Sequence, residues 1–414
     1  MRTSFLCAAF VTATSAAQQP PQAPFLSAEQ WREDLQYFSR ELEKRHKNLF
    51  HTVSREDFAR AVRRLDSAVP SLQPHQIIVR LHQLAALVGD GHTGVHTPSY
   101  FSIYPIAVYW FGSELRVTAA TPEYQRALGT RVTQIGGKPI AEVETLVRTM
   151  FPSASNENEW YAMSTSPAFI VRPEVLHALG VVTDRAKATW GFEDDQGSRF
   201  SLDLVPAILP PAGPGGVVIP GLRPVSPTPP LFRQRPTERL WYTWIPETKT
   251  VYVNWRGYQS LGENARNLFR FIDSTGAERL VIDIRQNGGG DFFEGRKHII
   301  QPLLQHALNQ AGKLYVIIGR RTYSAAMVNA IDFKKMTRAV LVGEPVGERP
   351  NSYSENDEMT LPNSKLVVSY STRYYKFLDQ DVPAFLPDVR IDPSWPEWRA
   401  GRDPVLEWIL GRPY

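Results

Sequence analysis

One stretch constrains this chain most: residues 281–326, where two apolar strands each end in a turn of small and polar residues. It reads V-I-D-I-R-Q-N-G-G-G-D from Val281, then an amphipathic run, then K-L-Y-V-I-I-G-R-R, and finally T-Y-S-A-A. Short β-branched runs bounded by turn residues predict buried strands, here over 281–284 and 314–318. Strands that alternate with helical sequence indicate an α/β fold around a parallel or mixed sheet.

Residues able to carry chemistry stand where both predicted strands end. Gly288, Gly289 and Gly290 follow the first strand, and consecutive glycines let backbone N–H groups point outward, as an oxyanion site requires. Ser324 follows the second strand and precedes Ala325, at the start of helical sequence where N–H groups are unpaired. Neighbouring parallel strands end at the same sheet edge, so the two turns should meet. Two interpretations remain: a nucleophile beside an oxyanion site, or an ordinary loop and a helix-capping serine.

A histidine near residue 90 is the best candidate for a functional histidine. Residues 88–95 read V-G-D-G-H-T-G-V, and His92 among glycines is free to project into a cleft. His96 ranks second, and the alternative for His92 is a turn histidine bonded to local backbone. The chain has no H-E-x-x-H motif and no Cys/His cluster, so we predict neither a metal site nor a cofactor.

Several ordered motifs together resemble the S41 peptidase family, the tail-specific or C-terminal processing proteases. They are N-G-G-G-D, T-Y-S-A-A, A-V-L-V-G-E-P, L-P-N-S-K-L-V-V-S-Y and the closing P-D-V with G-R-D-P-V-L-E, over about the last 180 residues. The resemblance implies a crotonase-like α/β catalytic domain and a polypeptide substrate. It also implies Ser324 as the nucleophile, with the backbone N–H groups of Ala325 and of Gly289 or Gly288 as oxyanion donors.

The family activates its serine in two ways, and the lysine solution does not fit this chain. The tail-specific proteases place a lysine about 25 residues past the serine. Here that region, 342–349, reads V-G-E-P-V-G-E-R, and Arg349 cannot serve as a base because guanidinium stays protonated. Lys334 and Lys335 lie about ten residues along a helix from the serine, roughly 15 Å away.

The other family solution is a tetrad of histidine, two serines and an acid. The G-H-T element implies His92 as the general base. The second serine of the tetrad would precede the histidine, where this chain has Gly91. The family's acid stands a few residues before the closing P-D, which makes Asp381 the candidate acid, with Glu344 and Glu348 as rivals.

The predicted organisation runs from an export signal to a C-terminal catalytic domain. A short apolar stretch followed by small residues is typical of a cleaved signal. A proline- and glycine-dense segment marks the plainest boundary. The expected ranges are 1–17 signal peptide, 18–26 linker, 27–98 N-terminal helical region with the G-D-G-H-T loop, 99–207 PDZ-like β-rich module, 208–236 Pro/Gly-rich linker and 237–414 catalytic α/β domain.

The PDZ-like assignment depends on residues 128–143. There L-G-T-R-V-T-Q-I-G-G-K-P-I-A-E-V resembles the core of such a module, with a hairpin turn at Gly136 and Gly137 and a helix from Glu142. PDZ domains bind C-terminal carboxylates by strand addition. Residues 150–185 are longer and more helical than this pattern, and no clean carboxylate-binding loop is visible.

Composition and charge narrow the partners and the compartment. The 414 residues carry a net charge of only +4, so nothing argues for nucleic acid. Cys7 is the only cysteine and would leave with the signal, and no later apolar run approaches membrane-spanning length. We therefore expect a secreted or periplasmic protein without an integral membrane segment after cleavage. The sequence does not indicate its oligomeric state.

The predicted function is peptide hydrolysis by a serine-type S41-like enzyme. A different class of function is a non-catalytic S41-like protein that binds a peptide or an apolar ligand, and a third is an esterase-like hydrolase on the same fold. Residues 366–371 carry a related alternative: this strand either offers an edge to an extended substrate or is a core hairpin partner.

Overall fold

The computed structural model describes residues 25–153, 155–207, 219 and 221–412 of the chain. The predicted signal peptide, residues 1–17, lies outside these residues, so export remains a prediction. Most of the predicted 18–26 linker and the stretch 208–218 lie outside them too.

The N-terminal part is helical, as predicted. Ser27 caps the first helix through a reciprocal capping box with Gln30, and an apolar stripe that includes Trp31 and Phe38 is buried. The elements in order are α1 (Ala28–Arg45), α2 (Arg55–Ala68), α3 (Pro74–Ala86) and β1 (Gly94–Val95). The loop between α3 and β1 carries His92.

The middle part is an antiparallel sheet with helices against it. Gly136 and Gly137 both have positive φ (58° and 81°) and make the predicted hairpin turn. The helix after it begins at Ile140, two residues before the predicted start. The elements are β2 (Ile106–Phe111), β3 (Glu114–Ala120), β4 (Arg131–Ile135), β5 (Lys138–Pro139), α4 (Ile140–Val147), α5 (Glu159–Ile170), α6 (Pro173–Ala178), β6 (Ala188–Glu193), β7 (Arg199–Leu204) and β8 (Arg223–Pro224).

The described half of the predicted Pro/Gly-rich linker is anchored to the rest of the protein. Strand β8 pairs with β3 at residues 119–120. Phe232 is buried, and the Arg285 guanidinium lies 4.2 Å from the centre of its ring. A strand pair and one buried aromatic side chain thus hold residues 223–233 against the rest of the protein, while Arg223 and Pro224 themselves are exposed.

The C-terminal part is the predicted α/β layer structure, so the mixed α/β class is confirmed. Residues 292–304 are helical throughout, with a π-helical turn at Arg296–Ile300. The elements are β9 (Leu240–Ile245), β10 (Thr250–Trp255), α7 (Leu261–Thr275), β11 (Arg279–Asp283), α8 (Phe292–Gly295), α9 (Gln301–Leu304), β12 (Leu314–Ile318), α10 (Ala325–Met336), β13 (Val340–Gly343), β14 (Asn351–Thr360), β15 (Val367–Lys376), β16 (Val389–Arg390), α11 (Trp395–Arg399) and α12 (Pro404–Leu410).

The main sheet has the strand order β16-β13-β12-β11-β10-β9, parallel except for the β9 edge. The buried strands β11 and β12 lie side by side near its middle. Apolar residues of both faces are buried, as expected for a parallel sheet covered by helices.

A second, three-stranded sheet has the order β1-β15-β14. Strand β15 lies between its partners: Ser369 pairs with Gly94 on one side and with Glu358 on the other. The idea that residues 366–371 offer an edge to substrate is therefore wrong, because both sides of this stretch are already paired. The β14–β15 hairpin brings Ser354 to the site described next.

Candidate active site

The two predicted turns meet at one edge of the main sheet. Asp283 of β11 and Ile317 of β12 are parallel partners, so the chain leaves both strands at the same end. The Tyr323 N–H then donates to the Asn287 carbonyl at 3.1 Å, and the Thr322 hydroxyl donates to the Ile284 carbonyl at 3.0 Å. The expectation drawn from parallel strand geometry is confirmed.

Ser324 stands on a strained backbone just before α10. Its φ is 54° and its ψ is −127°, values that side-chain-bearing residues rarely adopt. Its hydroxyl makes no capping hydrogen bond to the helix. Strain of this kind persists where the surrounding structure enforces it, often at functional sites. The geometry therefore departs from that of an ordinary helix-capping serine.

The glycine loop packs directly against Ser324. A Cβ atom on Gly289 would lie 2.7 Å from the Ser324 Cβ, and the φ of Gly289 is 111°. Both the space and the backbone conformation therefore demand glycine at this position. A larger residue would displace the loop from the serine.

The three expected oxyanion donors differ in their hydrogen bonding. The Gly289 N–H donates to Asn287 Oδ1 at 3.0 Å. Within the described residues, the N–H groups of Gly288 and Ala325 donate to no protein acceptor. The donors that remain available are therefore Gly288 and Ala325, one from each turn.

His92 is buried beside the residue that precedes Ser324. Its ring stacks on Tyr323 with 4.8 Å between ring centres, and its Nδ1 lies 3.3 Å from the Tyr323 hydroxyl oxygen. Its Nε2 lies 3.3 Å from the Ser354 hydroxyl oxygen, and its backbone N–H donates to Asp90 at 3.1 Å. Within the described ranges no hydrogen bond joins the His92 ring to the Ser324 hydroxyl.

Burial sets the protonation of His92. It lowers the pKa of the imidazole to about 4, although the Asp90 carboxylate acts in the opposite direction. The ring is consequently neutral at pH 7. A neutral imidazole has one nitrogen with a lone pair, which is the form that accepts a proton.

The Glu348 carboxyl group links the serine to the histidine. Its Oε2 accepts the backbone N–H of Ser324. Its Oε1 lies 3.7 Å from His92 Nδ1 and has no hydrogen-bond partner among the described residues. Burial and the nearby Glu157 carboxyl raise the pKa of Glu348 well above its usual range. Glu348 is thus an acidic side chain in contact with both elements of the site.

The other two candidate acids are engaged elsewhere. The Asp381 carboxylate is 67% exposed and pairs with Arg349 at 3.3 Å. Glu344 pairs with the buried Arg320 guanidinium, with Nε at 2.9 Å. The structure therefore does not bring the expected acid Asp381 to His92, because its loop holds it against Arg349 at the surface.

The remaining candidate bases also lie away from the serine. His96 is half-exposed and its Nε2 lies 3.6 Å from the Glu358 carboxylate. Lys334 pairs with Asp388, and Lys335 donates to the Phe377 carbonyl at 2.6 Å. This leaves His92 as the expected base that the structure brings to the site.

The glycine before His92 has a packing reason. A Cβ on Gly91 would lie 2.3 Å from the Tyr323 hydroxyl oxygen and 2.9 Å from Glu157 Oε1. A side chain there would force the Tyr323 hydroxyl and the Glu157 carboxyl group to move, so the local contacts disfavour the serine that the family pattern places before the histidine. The nearest hydroxyl groups to the imidazole come instead from Tyr323 and Ser354.

We predict that Gly91→Ser destabilises the protein by about 1–3 kcal/mol, the usual cost of overpacking a filled site. Urea unfolding of the variant and of wild type measures this. Gly94→Ser is the matched control, since a Cβ at Gly94 meets nothing within 4 Å. Equal unfolding midpoints for Gly91→Ser and Gly94→Ser would contradict the packing argument.

A cleft of about 300 Å³ opens beside Ser324. Its polar walls include Glu348, Ser354 and Glu355. Most of its remaining walls are apolar or aromatic, from Phe292, Phe293, Ala325, Met327, Val328, Tyr375 and Phe377. The cleft therefore has room for an apolar side chain next to the serine hydroxyl.

Tyr323, Ser354 and Glu157 were not anticipated from the sequence. Tyr323 and Ser354 lie 231 and 262 positions from His92, so no local pattern joins them. The one usable signal was the place of Tyr323 directly before the candidate nucleophile. Ser354 and Glu157 stand in stretches that carried no motif.

The described residues contain neither a membrane-spanning helix nor a metal-binding cluster. None of the helices there has the length and apolar character that crossing a bilayer requires. No group of three or more histidine, cysteine or acidic side chains in those residues is arranged to hold a metal ion.

Comparison with known proteins gives a fold. No family model and no curated protein matches the sequence. The solved structure of a serine-to-alanine variant of CPAF superposes with a TM-score of 0.63 at 12% identity, covering 94% of this chain and 99% of that chain. Mature CPAF complexed with lactacystin gives 0.58 at 12% identity, covering 92% and 97%. These neighbours are S41-family peptidases, and the chain shares their fold.

Proposed function

We propose that this protein is a serine-type peptidase of the S41 type, which hydrolyses peptide bonds through an acyl-enzyme on Ser324. The observation that carries the proposal is the Ser324 turn itself. Ser324 has a strained backbone at the start of a helix, and its hydroxyl does not cap that helix. The glycine loop lies against it. The shared fold with a peptidase that binds lactacystin supports the same reading.

In the proposed reaction, the Ser324 hydroxyl attacks the carbonyl carbon of a peptide bond while His92 accepts its proton. The carbonyl oxygen becomes an oxyanion, and the N–H groups of Gly288 and Ala325 stabilise it. His92 then gives the proton to the leaving amine, which yields the acyl-enzyme. A water molecule, deprotonated by the same histidine, releases the acid and restores the serine.

In this scheme His92 and the Ser324 hydroxyl must come into contact. The ring already touches Tyr323, and Glu348 contacts both His92 and the Ser324 backbone. Catalytic hydrogen bonds are often long in enzymes without substrate and shorten in the complex. We propose that rotation of the ring away from Ser354, together with rotation of the serine hydroxyl, brings the two groups into contact when substrate binds.

We assign the acid of the site to Glu348 in place of Asp381. Glu348 is fully buried against the serine backbone and the histidine, whereas Asp381 is exposed and paired with Arg349. The histidine-based tetrad subtype stays part of this proposal, with Glu348 as its acid and the hydroxyl groups of Tyr323 and Ser354 near the imidazole.

Two isosteric substitutions distinguish these acids. We expect Glu348→Gln to lower kcat/KM by about 10²- to 10⁴-fold, because it replaces the carboxyl group that orients the histidine. We expect Asp381→Asn to change it by less than about threefold, as for other exposed substitutions. Peptide hydrolysis by the two purified variants measures this, with circular dichroism as the check on folding. A reversed order of effects would restore Asp381 as the acid.

The wider organisation is proposed on the same basis. The sheet of residues 237–414 would be the crotonase-like catalytic domain, preceded by the helical region 27–98 and the PDZ-like module 99–207. A polypeptide would be the substrate, and the protein would act after export. The apolar walls of the cleft favour an apolar side chain beside the cleaved bond.

One observation favours a second candidate function, a binding protein without catalysis. Both ring nitrogens of His92 face hydroxyl groups other than that of Ser324. Labelling with a fluorophosphonate separates the two functions, because binding alone requires no activated serine. An esterase-like activity on the same site would be distinguished by ester and peptide substrates compared on the labelled enzyme.

A further inference from the structure

We propose that Glu157 is a positioning residue, whose carboxylate ties the loop that carries His92 to the loop that carries Glu348. This inference rests on the proposed function for its consequence in activity. It rests on hydrogen bonds between three separate parts of the chain for its geometry.

The tie consists of two backbone hydrogen bonds to one side chain. Glu157 Oε1 accepts the N–H of Gly91 at 2.6 Å, and its Oε2 accepts the N–H of Arg349 at 3.2 Å. Gly91 directly precedes His92, and Arg349 directly follows Glu348. The carboxylate is therefore one residue away from each of the two groups that it would position.

The neighbours of Glu157 strengthen the same junction. Asn158 Nδ2 donates to the Val346 carbonyl at 3.2 Å and to the Pro383 carbonyl at 3.0 Å, while its Oδ1 caps α5 through Tyr161 N–H. The Arg349 guanidinium donates to the Ser155 carbonyl at 3.0 Å. Residues 155–158, which lead into α5, thus hold the 346–349 loop from several sides.

Glu157 is buried, which indicates that its carboxyl group serves to make hydrogen bonds inside the protein. The residue is 1% exposed, and burial raises the pKa of its carboxyl group to about 7. A buried acid is retained where its hydrogen bonds are needed, because leaving it unpaired is costly. Here the hydrogen-bond donors are N–H groups of the two loops that carry His92 and Glu348.

Amide hydrogen exchange by mass spectrometry tests the tie, in the full chain. In Glu157→Ala we expect exchange to rise about tenfold or more in both 88–95 and 345–351, since both part-buried N–H groups lose their acceptor. Glu157→Gln keeps one acceptor oxygen and should release one loop. Glu159→Gln is the control, because Glu159 is half-exposed and pairs with Arg148. Unchanged exchange in both loops, or a rise spread over the whole chain, would overturn the tie.

Fluorophosphonate labelling of the same variants tests the consequence. We expect the labelling rate to fall about tenfold or more in Glu157→Ala, with Glu157→Gln between it and wild type. Looser loops with an unchanged labelling rate would overturn the positioning role. A wild type that takes no label, combined with looser loops in Glu157→Ala, would refute the peptidase and support the tie.

Discussion

Ser324→Ala should lower peptide hydrolysis by on the order of 10⁴-fold or more, the loss expected when a covalent nucleophile is removed. The substitution deletes one hydroxyl oxygen that has no hydrogen-bond partner among the described residues, so the fold should remain. The assay is cleavage of an unstructured protein such as casein, followed by mass spectrometry of the peptides.

Ser274→Ala is the control for this substitution. Ser274 lies on the exposed surface of α7, where its hydroxyl donates to the Phe271 carbonyl at 2.8 Å. It should hydrolyse at the wild-type rate. Hydrolysis by Ser324→Ala at a rate near that of wild type would place the nucleophile elsewhere.

His92→Gln should lower the rate by about 10²- to 10⁴-fold, the range for loss of a general base. The dependence of activity on pH tests the same role of His92 more specifically. A base must be neutral, and the pKa of His92 is lowered to about 4. Wild-type activity should therefore hold between pH 5 and 7 as far as this group is concerned, and fall as the pH drops through about 4.

The fall in activity at acidic pH is measured by labelling rates from pH 7 down through about pH 4. The measurements are restricted to conditions where circular dichroism shows folded protein. The His92→Gln variant should lack the acidic fall. His96→Gln is the matched control, because that histidine is half-exposed and pairs with Glu358. A His92→Gln variant with the wild-type rate and the same acidic limb would exclude the histidine as the base.

The fold could be predicted from local pattern where one kind of periodicity dominates. The predicted strand 314–318 matches the structure at both ends, because it is an apolar run bounded by turn residues. The composition of the Pro/Gly-rich segment does not predict that Phe232 anchors it, because that contact is made with Arg285, far along the chain.

The residues of the candidate site also differ in how well local sequence predicts them. Ser324 and the glycine loop were predictable because each follows a strand directly, and parallel pairing brings strand ends together. The acid was not, because the offset from the closing P-D selects Asp381, while the fold of the 343–349 loop places Glu348 beside the serine. Glu157 lay beyond prediction, since it joins the site only through contacts across 66 and 192 positions.

The most direct test of the central claim is to label wild-type protein with a fluorophosphonate and to locate the adduct by mass spectrometry. We predict a single adduct on Ser324. Absence of any adduct in folded protein, or an adduct on Ser354, whose hydroxyl faces His92 Nε2, would contradict it.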